Sequence, residues 1–536
     1  MIDINLDHIN ESVKETVLTL LNIIEKLAKE NADLHQQVQH LNDEINRLKG
    51  EQGKPTIKPN KDISSEKERK KEKKVHKKRH KNRNIKINRT EICELDKRQL
   101  PADAEFKGYV SVIVQGLKIE TDNVEFKKEK YYSPSEQTTY IAELPAGYEG
   151  GFNPTIKSLA IIMKNICNMS EAKILGFFQN MGIDISTGTI SNMLIKDKAA
   201  FHQEKKELVD AGLQSTAYQH IDDTKARVNG QNNHTHILCN PYYTAYTTTE
   251  KKNRLTVIEV LSNGRSLQYC LNQAAFSFLE QLAIKEEHYS PLKVLASEKL
   301  YSQSEFERLV LPYINENALP RVLEAAAIAA YRQGVDHPVI AKLLCDDAPQ
   351  FKLICEQLAL CWVHEGRHYK KLCPAVKYNA KKLTAFIGQF WDYYEELLAY
   401  KQLPLPDTAA LLSAQFDQIF STCTGYNDLD DRILKTKAKK AELLLVLKYP
   451  DIPLHNNAAE LAARVIARKR DVSLHTMTAE GTKANDTFLS IVETCKKLGI
   501  NSFKYIVDRI SKQYQMPSLA DMLKTISKNK QSLTIC

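Results

Sequence analysis

From Val13 to Leu48 the apolar residues recur every seven positions. Leu20, Leu27, Leu34, Leu41 and Leu48 form one row, and Val17, Ile24, Val38 and Ile45 form the other, with Asn31 in the same register. β-Branched residues at one seam position, Leu at the other and a single Asn predict a parallel two-stranded coiled coil. The alternative is one amphipathic helix packed on the body. "GEQGKPTIKPNKDISS" then ends the helix with Gly and Pro.

Residues 105–147 read as short strands and turns, as in "GYVSVIVQGLKIE". From Asn153 the period becomes helical. "MSEAKILGFFQNMGIDISTGTISNMLIKD" predicts helix, glycine turn, helix, with Ser170 and Ser186 as N-caps, Ala172, Ile174, Leu175 and Phe178 as the apolar positions of the first helix and Ile190, Met193 and Leu194 as those of the second. Such a helix-turn-helix can lay its second helix in the DNA major groove, presenting Thr187, Thr189, Ser191 and Asn192. Two packed core helices without a ligand are the alternative, since that helix is poor in Arg.

A strand-rich block follows. "AYQHIDDTKARV" leads into Asn229-Gly230, a hairpin signal. "HTHILCN" and "RLTVIEVLS" are expected to supply the next two strands. Residues 266–338 are expected to be mainly helical, "PVIAKLLCDDAPQF" a buried strand, "LALCWVH" another, and 375–448 helical with an aromatic core stripe.

Charge changes this picture in one place. The chain of 536 residues carries +9, yet 13 Lys/Arg and two Glu between Lys67 and Arg89 supply a local +11, leaving −2 for the rest. A run that includes Lys77, Lys78 and Arg79 fits a polyanion, most simply DNA, or else a solvated linker with no specific partner. Eleven cysteines without a C-x-x-C pair suit a reducing compartment. The N-terminus lacks a secretory pattern, and no apolar run approaches a membrane span. The expected location is the cytoplasm, with no membrane partner.

Three acids stand out: Asp222 within a strand, Asp346 at the end of a later strand, and Glu460 in "PLHNNAAELAARVIARKR". Adjacent Asp222 and Asp223 repel, and strands disfavour Asp. Clustered carboxylates from distant segments suit two divalent ions that drive phosphodiester chemistry, Mg²⁺ with Mn²⁺ as a substitute. Ordinary polar ends of strands and helices are the alternative. Asp223 and Asp347 compete with their neighbours for the ligand role, and periodicity alone does not choose. Cys361, His364, His368 and Cys373 have spacing that could bind zinc, but a core role for Cys361 beside Trp362 is simpler.

The order "HIDDT", "CDDAPQF", "LCWVHEGR" and "NNAAELAARVIARKR…FLSIVETCKKLGI" resembles the transposases of the insertion-sequence-66 family, DDE-type enzymes with a ribonuclease-H-like core. The resemblance covers roughly residues 150–515 and the zipper-like start. It implies Asp222, Asp346 and Glu460 as metal ligands and catalytic residues, with Asp347 as fallback for Asp346. It also implies a helical insertion between His364 and Pro453. The sequence departs from the family in having only Cys93 where a Cys-rich, zinc-finger-like segment is usual, Asp223 where Glu is usual, and a longer stretch from Ser266 to Pro338.

The fold class this implies is multi-domain: an α/β ribonuclease-H-like core with helical insertions, preceded by a coiled coil and a helix-turn-helix domain. The expected organisation is a dimerisation helix at 1–50, a disordered basic linker at 51–92 and a small strand-rich segment at 93–152. The helix-turn-helix domain follows at 153–212, then the catalytic domain at 213–515 with insertions at about 266–338 and 365–450, and a tail at 516–536. The expected function is a homodimeric DNA transposase acting on element ends and target DNA, with accessory proteins left open. Arg464, Arg468, Lys469 and Arg470 are expected to contact phosphates. A catalytically inactive, transposase-derived DNA-binding protein is the alternative, and a structure-specific nuclease is a third class.

Overall fold

A computed structural model describes residues 11–48, 85–96, 98, 100–101, 104–334 and 337–533. Lys77, Lys78 and Arg79 lie outside the described residues. The first helix, α1 (Glu11–Leu48), is 38 residues long. It docks on the body at one end only, where Leu21 is buried against Val376, with Val17, Leu18 and Ile24 packed around them. The leucine row faces outward, and Leu27, Leu34 and Leu41 are 58%, 61% and 60% exposed.

The stretch after Gly108 was expected to hold strands but has no sheet partner: Val110, Val112 and Val114 lie exposed in extended chain. Alternation alone does not make a strand without a neighbour to accept its hydrogen bonds. The hairpin comes later, β1 (Lys130–Ser133) with β2 (Thr138–Ile141).

Four helices follow: α2 (Pro154–Asn165), α3 (Glu171–Asn180), α4 (Thr187–Ile195) and α5 (Ala199–Leu213). Ser170 and Ser186 cap α3 and α4, accepting from the Lys173 and Thr189 amides. Gly182, with φ of 78°, turns the chain between them. Ile174, Phe178, Ile190, Met193 and Leu194 are buried, whereas Leu175 is half-buried and Ala172 is exposed.

The central sheet has five strands in the order β5 (Thr244–Thr249), β4 (Gln231–Cys239), β3 (Gln219–Val228), β8 (Lys342–Cys345) and β9 (Gln357–Leu360). Strands β3 (Gln219–Val228) and β4 (Gln231–Cys239) form a hairpin whose turn, Asn229-Gly230, has both φ values positive at 48° and 76°. The next strand is β5 (Thr244–Thr249), antiparallel to β4. "RLTVIEVLS" is a helix instead, α6 (Arg254–Leu261), because Asn253 caps it and Val257, Ile258 and Leu261 share a buried helical face. The expected helical region then also holds a short antiparallel pair, β6 (Tyr269–Leu271) and β7 (Ser297–Tyr301), among α7 (Gln273–Gln281), α8 (Gln303–Val310) and α9 (Leu319–Gln333).

The chain returns to the sheet as β8 (Lys342–Cys345) and β9 (Gln357–Leu360), both running parallel to β3. "LALCWVH" breaks at Cys361, whose sulfur accepts from the His364 amide and starts α10 (Trp362–Lys370). A helical block follows: α11 (Lys377–Tyr400), α12 (Pro406–Ile419), α13 (Asn427–Lys437), α14 (Lys440–Leu443) and α15 (Leu445–Lys448). Trp362 anchors it among Phe390, Tyr393, Phe416 and Phe420, so the aromatic stripe is core. The chain ends with α16 (Asn457–Asp471), α17 (Ala479–Leu498), α18 (Ser502–Ile510) and α19 (Leu519–Leu533).

The sheet's two faces separate by parity along the strands. Ile221, Leu238, Ala245, Leu343 and Cys345 join the main core, whereas Ile237, Cys239 and Tyr246 meet Ala459, Ala462, Ala463 and Ile466 of α16. Helix α17 covers the outer edge of β5. Ser490, Thr494 and Asp486 accept from the amides of Tyr246, Thr244 and Thr248, donors that would otherwise stand open. No helix among the described residues is long and apolar enough to cross a membrane.

Candidate active site

Two parallel strands set the first two acids. His220 of β3 pairs with Leu344 of β8. Asp222 and Asp346 each lie two residues further on, so they share a level and a face, with Asp346 just past the end of β8 and Asp222 inside β3. The third acid arrives on α16, which packs on that same face through Ala459 and Ala463. A clamp fixes this helix to β3. Asn456, buried at its N-cap, accepts from His220 Nδ1 at 2.8 Å and donates to the Ile221 carbonyl at 2.8 Å. Its own amide donates to Cys361 Sγ at 3.2 Å, tying in α10. Burial pushes His220 down to about 4, so its ring is neutral at pH 7 and serves as a rigid strut.

Asp222, Asp346 and Glu460 line one cavity of about 280 Å³ together with Asp223, His364, Arg367 and Arg464. Burial, then the charge of Asp346, pushes Asp222 up to about 7. Burial raises Asp346 as well, against a hydrogen bond from the Ala348 amide and the nearby His364. Among the described residues neither Asp222 nor Asp346 has a Lys or Arg within ion-pairing distance.

Their neighbours are engaged elsewhere. Asp347 pairs with Lys352 at 2.7 Å and Lys439 at 2.5 Å, and although burial alone would raise it, these lysines hold it below its ordinary value. Asp223 pairs with Lys252 at 3.3 Å and accepts from Gln350 at 2.7 Å. Each acid pair thus has one member paired with lysine and one without such a partner, although Asp223 lines the cavity as well.

Glu460 differs from both. Arg367 of α10 grips it with two hydrogen bonds, 3.1 Å to Oε1 and 2.7 Å to Oε2. Among the described residues no group of three or more His, Cys, Asp or Glu side chains could hold a metal ion in this arrangement. A divalent cation nevertheless fits the chemistry of the donor set: two hard-oxygen carboxylates of raised basicity facing one cavity, with no lysine or arginine paired to either.

A family model described as "Transposase IS66 family" matches residues 332–484, the span that carries Asp346, Arg367 and Glu460. An uncharacterised protein, y4jO, from Sinorhizobium fredii (strain NBRC 101917 / NGR234) is 34% identical over 309 residues, which cover 56% of this chain and 94% of the relative. The chain belongs to the IS66 transposase family. No solved structure matches it. Asp222 lies before the span matched by the family model and is joined to it through the β3–β8 pairing.

Around this cavity the residues expected to contact DNA divide. Arg464 lines the cavity and Arg468 is exposed. Arg470 is exposed but donates to the Lys225 carbonyl at 2.7 Å. Lys469 corrects the expectation. It is 5% exposed, with its ammonium held by Asn165 at 3.2 Å and Asn485 at 2.7 Å. One step along the helix turns a side chain by about 100°, which takes Lys469 from the cleft side into the joint with α2 and α17. On α4, Thr187 and Asn192 are exposed while Thr189 and Ser191 are half-buried, and Thr189 Oγ1 bonds Ser186 Oγ at 2.9 Å. The weighed zinc set does not assemble: the Cys361 sulfur is taken up by backbone amides.

Sequence reasoning gave no site role to His220, Asn456 or Arg367, and weighed His364 only as a zinc ligand. The available signal was the spacing of His364 and Arg367, three apart on one helix face beside a proposed acid site.

Proposed function

We propose that this protein is a catalytically active DNA transposase that cleaves the ends of its element and joins them to target DNA through Asp222, Asp346 and Glu460. The observation that carries the reading is the shared cavity: two carboxylates at matched positions on adjacent parallel strands, and a third on the helix clamped over them. Three antiparallel strands continued by two parallel ones, with one acid inside β3 and one just past β8, support a ribonuclease-H-like core.

Asp222 and Asp346 would hold divalent metal, Mg²⁺ or Mn²⁺, with Glu460 as the third ligand. When bound, such ions supply charge for the attacking and leaving oxygens of an in-line displacement. The chain's own part is to hold the carboxylates on a stiff sheet, exclude bulk water beneath α16, and present Arg464 to the phosphate backbone. The α3–α4 pair, through Thr187, Thr189, Ser191 and Asn192, and the basic segment would bind element ends. The leucine row of α1 would join two copies, since two ends must be brought together. The work would take place in the bacterial cytoplasm.

Glu460→Gln, Asp222→Asn and Asp346→Asn should each reduce strand transfer of a pre-cut end by at least about 1,000-fold while leaving duplex binding within about 2-fold. Strand transfer at wild-type rates by any of the three would remove that residue from the catalytic set. The inactive, DNA-binding alternative draws on one observation, the occupation of Glu460 by Arg367.

A further inference from the structure

Both carboxylate oxygens of Glu460 are used by one guanidinium. The pair is partly sheltered, with Arg367 32% and Glu460 18% exposed, so water screens it less than a surface pair. The planar fork of Arg matches a carboxylate and fixes its direction. Helix α10 has little room to withdraw. A Cβ on Gly366 would come within 2.6 Å of the Trp391 ring, so the helix lies tight against α11, and Cys361 ties its start to Asn456. Asp222 and Asp346 face the same cavity without such a cation, and no three-carboxylate grouping able to hold a metal exists among the described residues.

We propose that Arg367 is a positioning residue that holds Glu460 out of metal coordination in the DNA-free protein. The third carboxylate joins Asp222 and Asp346 only after this pair opens. Metal and guanidinium then compete for one anion, and the DNA-free site offers a metal two carboxylates rather than three. This inference rests on the reading of the three acids as metal ligands.

The test is Mn²⁺ binding to the full-length, DNA-free protein, read from the electron paramagnetic resonance signal of free Mn²⁺. Wild type, Arg367→Ala, Glu460→Gln, the double variant and Asp222→Asn are compared. Glu460→Gln should leave the affinity of the otherwise wild-type protein within about 2-fold, because Glu460 is not yet a ligand. Arg367→Ala should tighten binding by about 10-fold, and adding Glu460→Gln should cancel that gain. Arg367→Gln replaces Arg367→Ala if the latter does not fold. Equal losses from Glu460→Gln in both backgrounds, or no gain on removing Arg367, would overturn the proposal. Asp222→Asn is the separate control: if it leaves Mn²⁺ binding unchanged, the metal-site reading itself fails, whatever Arg367 does.

Discussion

Single side chains set similar neighbours in different surroundings. Asp222 and Asp223 are neighbours, as are Asp346 and Asp347, yet lysines neutralise only the second of each pair. The same selection removes Lys469 from the DNA-facing set. Its burial pushes the ammonium down to about 7, with Lys164 adding to the effect and Asp486 opposing it. The unfolded chain keeps that proton up to its ordinary value near 10.5. Between these limits the unfolded state binds more protons, so stability rises with pH across the window. Below it the full cost of burying the charge is present. Lys469→Met removes the titration. The stability of wild type relative to Lys469→Met should therefore increase from pH 7 to pH 10, at a slope approaching about 1.4 kcal/mol per pH unit. Urea denaturation at several pH values checks this, and parallel curves for the two proteins would contradict it.

At the scale of elements, helix starts are where side chains tie the structure together. Asn456 joins α16 to β3, Cys361 joins α10 to α16, and Glu25 joins α1 to α11. Glu25 is 7% exposed and accepts from the Ala375 amide at 2.7 Å, the Val376 amide at 3.0 Å and Asn379 Nδ2 at 3.1 Å. Asn22 adds a donor to the Gly425 carbonyl and an acceptor for the Asn427 amide. Removing Glu25 strands two backbone donors at a cost of about 1–3 kcal/mol each. Glu25→Ala should speed amide exchange at Ala375 and Val376 by at least about 10-fold, because the junction opens more often. Unchanged protection there would mean that α1 is not held by this contact.

Across the whole molecule, α1 has two unlike faces. One face is latched to the helical insertion, and the other carries leucines more than half exposed. An apolar row of this length in water calls for a second helix. The chain should therefore be a dimer through α1, and Leu27→Asp with Leu34→Asp should yield a monomer by light scattering while leaving the folded body intact by circular dichroism. A dimer that survives both substitutions would shift the interface elsewhere. Because α1 is latched beside α11, such a dimer would hold its two bodies through the α11 region rather than by a loose tether.

Local order in the chain determined much of this. The heptad row, the caps at Ser170 and Ser186, the Asn229-Gly230 turn and the aromatic stripe all depend on neighbours within a few residues, so they can be read directly. The acids Asp222, Asp346 and Glu460 were legible as candidates because carboxylates are conspicuous in strands and beside apolar helical faces. Tertiary structure decided the rest. "RLTVIEVLS" could have been strand or helix, and packing on the main core together with the Asn253 cap made it helix. "GYVSVIVQGLKIE" alternates like a strand and finds no partner. The pairing of Asp223 with Gln350, the burial of Lys469 and the grip of Arg367 on Glu460 each join residues tens to hundreds of positions apart. Periodicity records only which face of its own element a residue occupies; what that face meets is fixed when the elements pack.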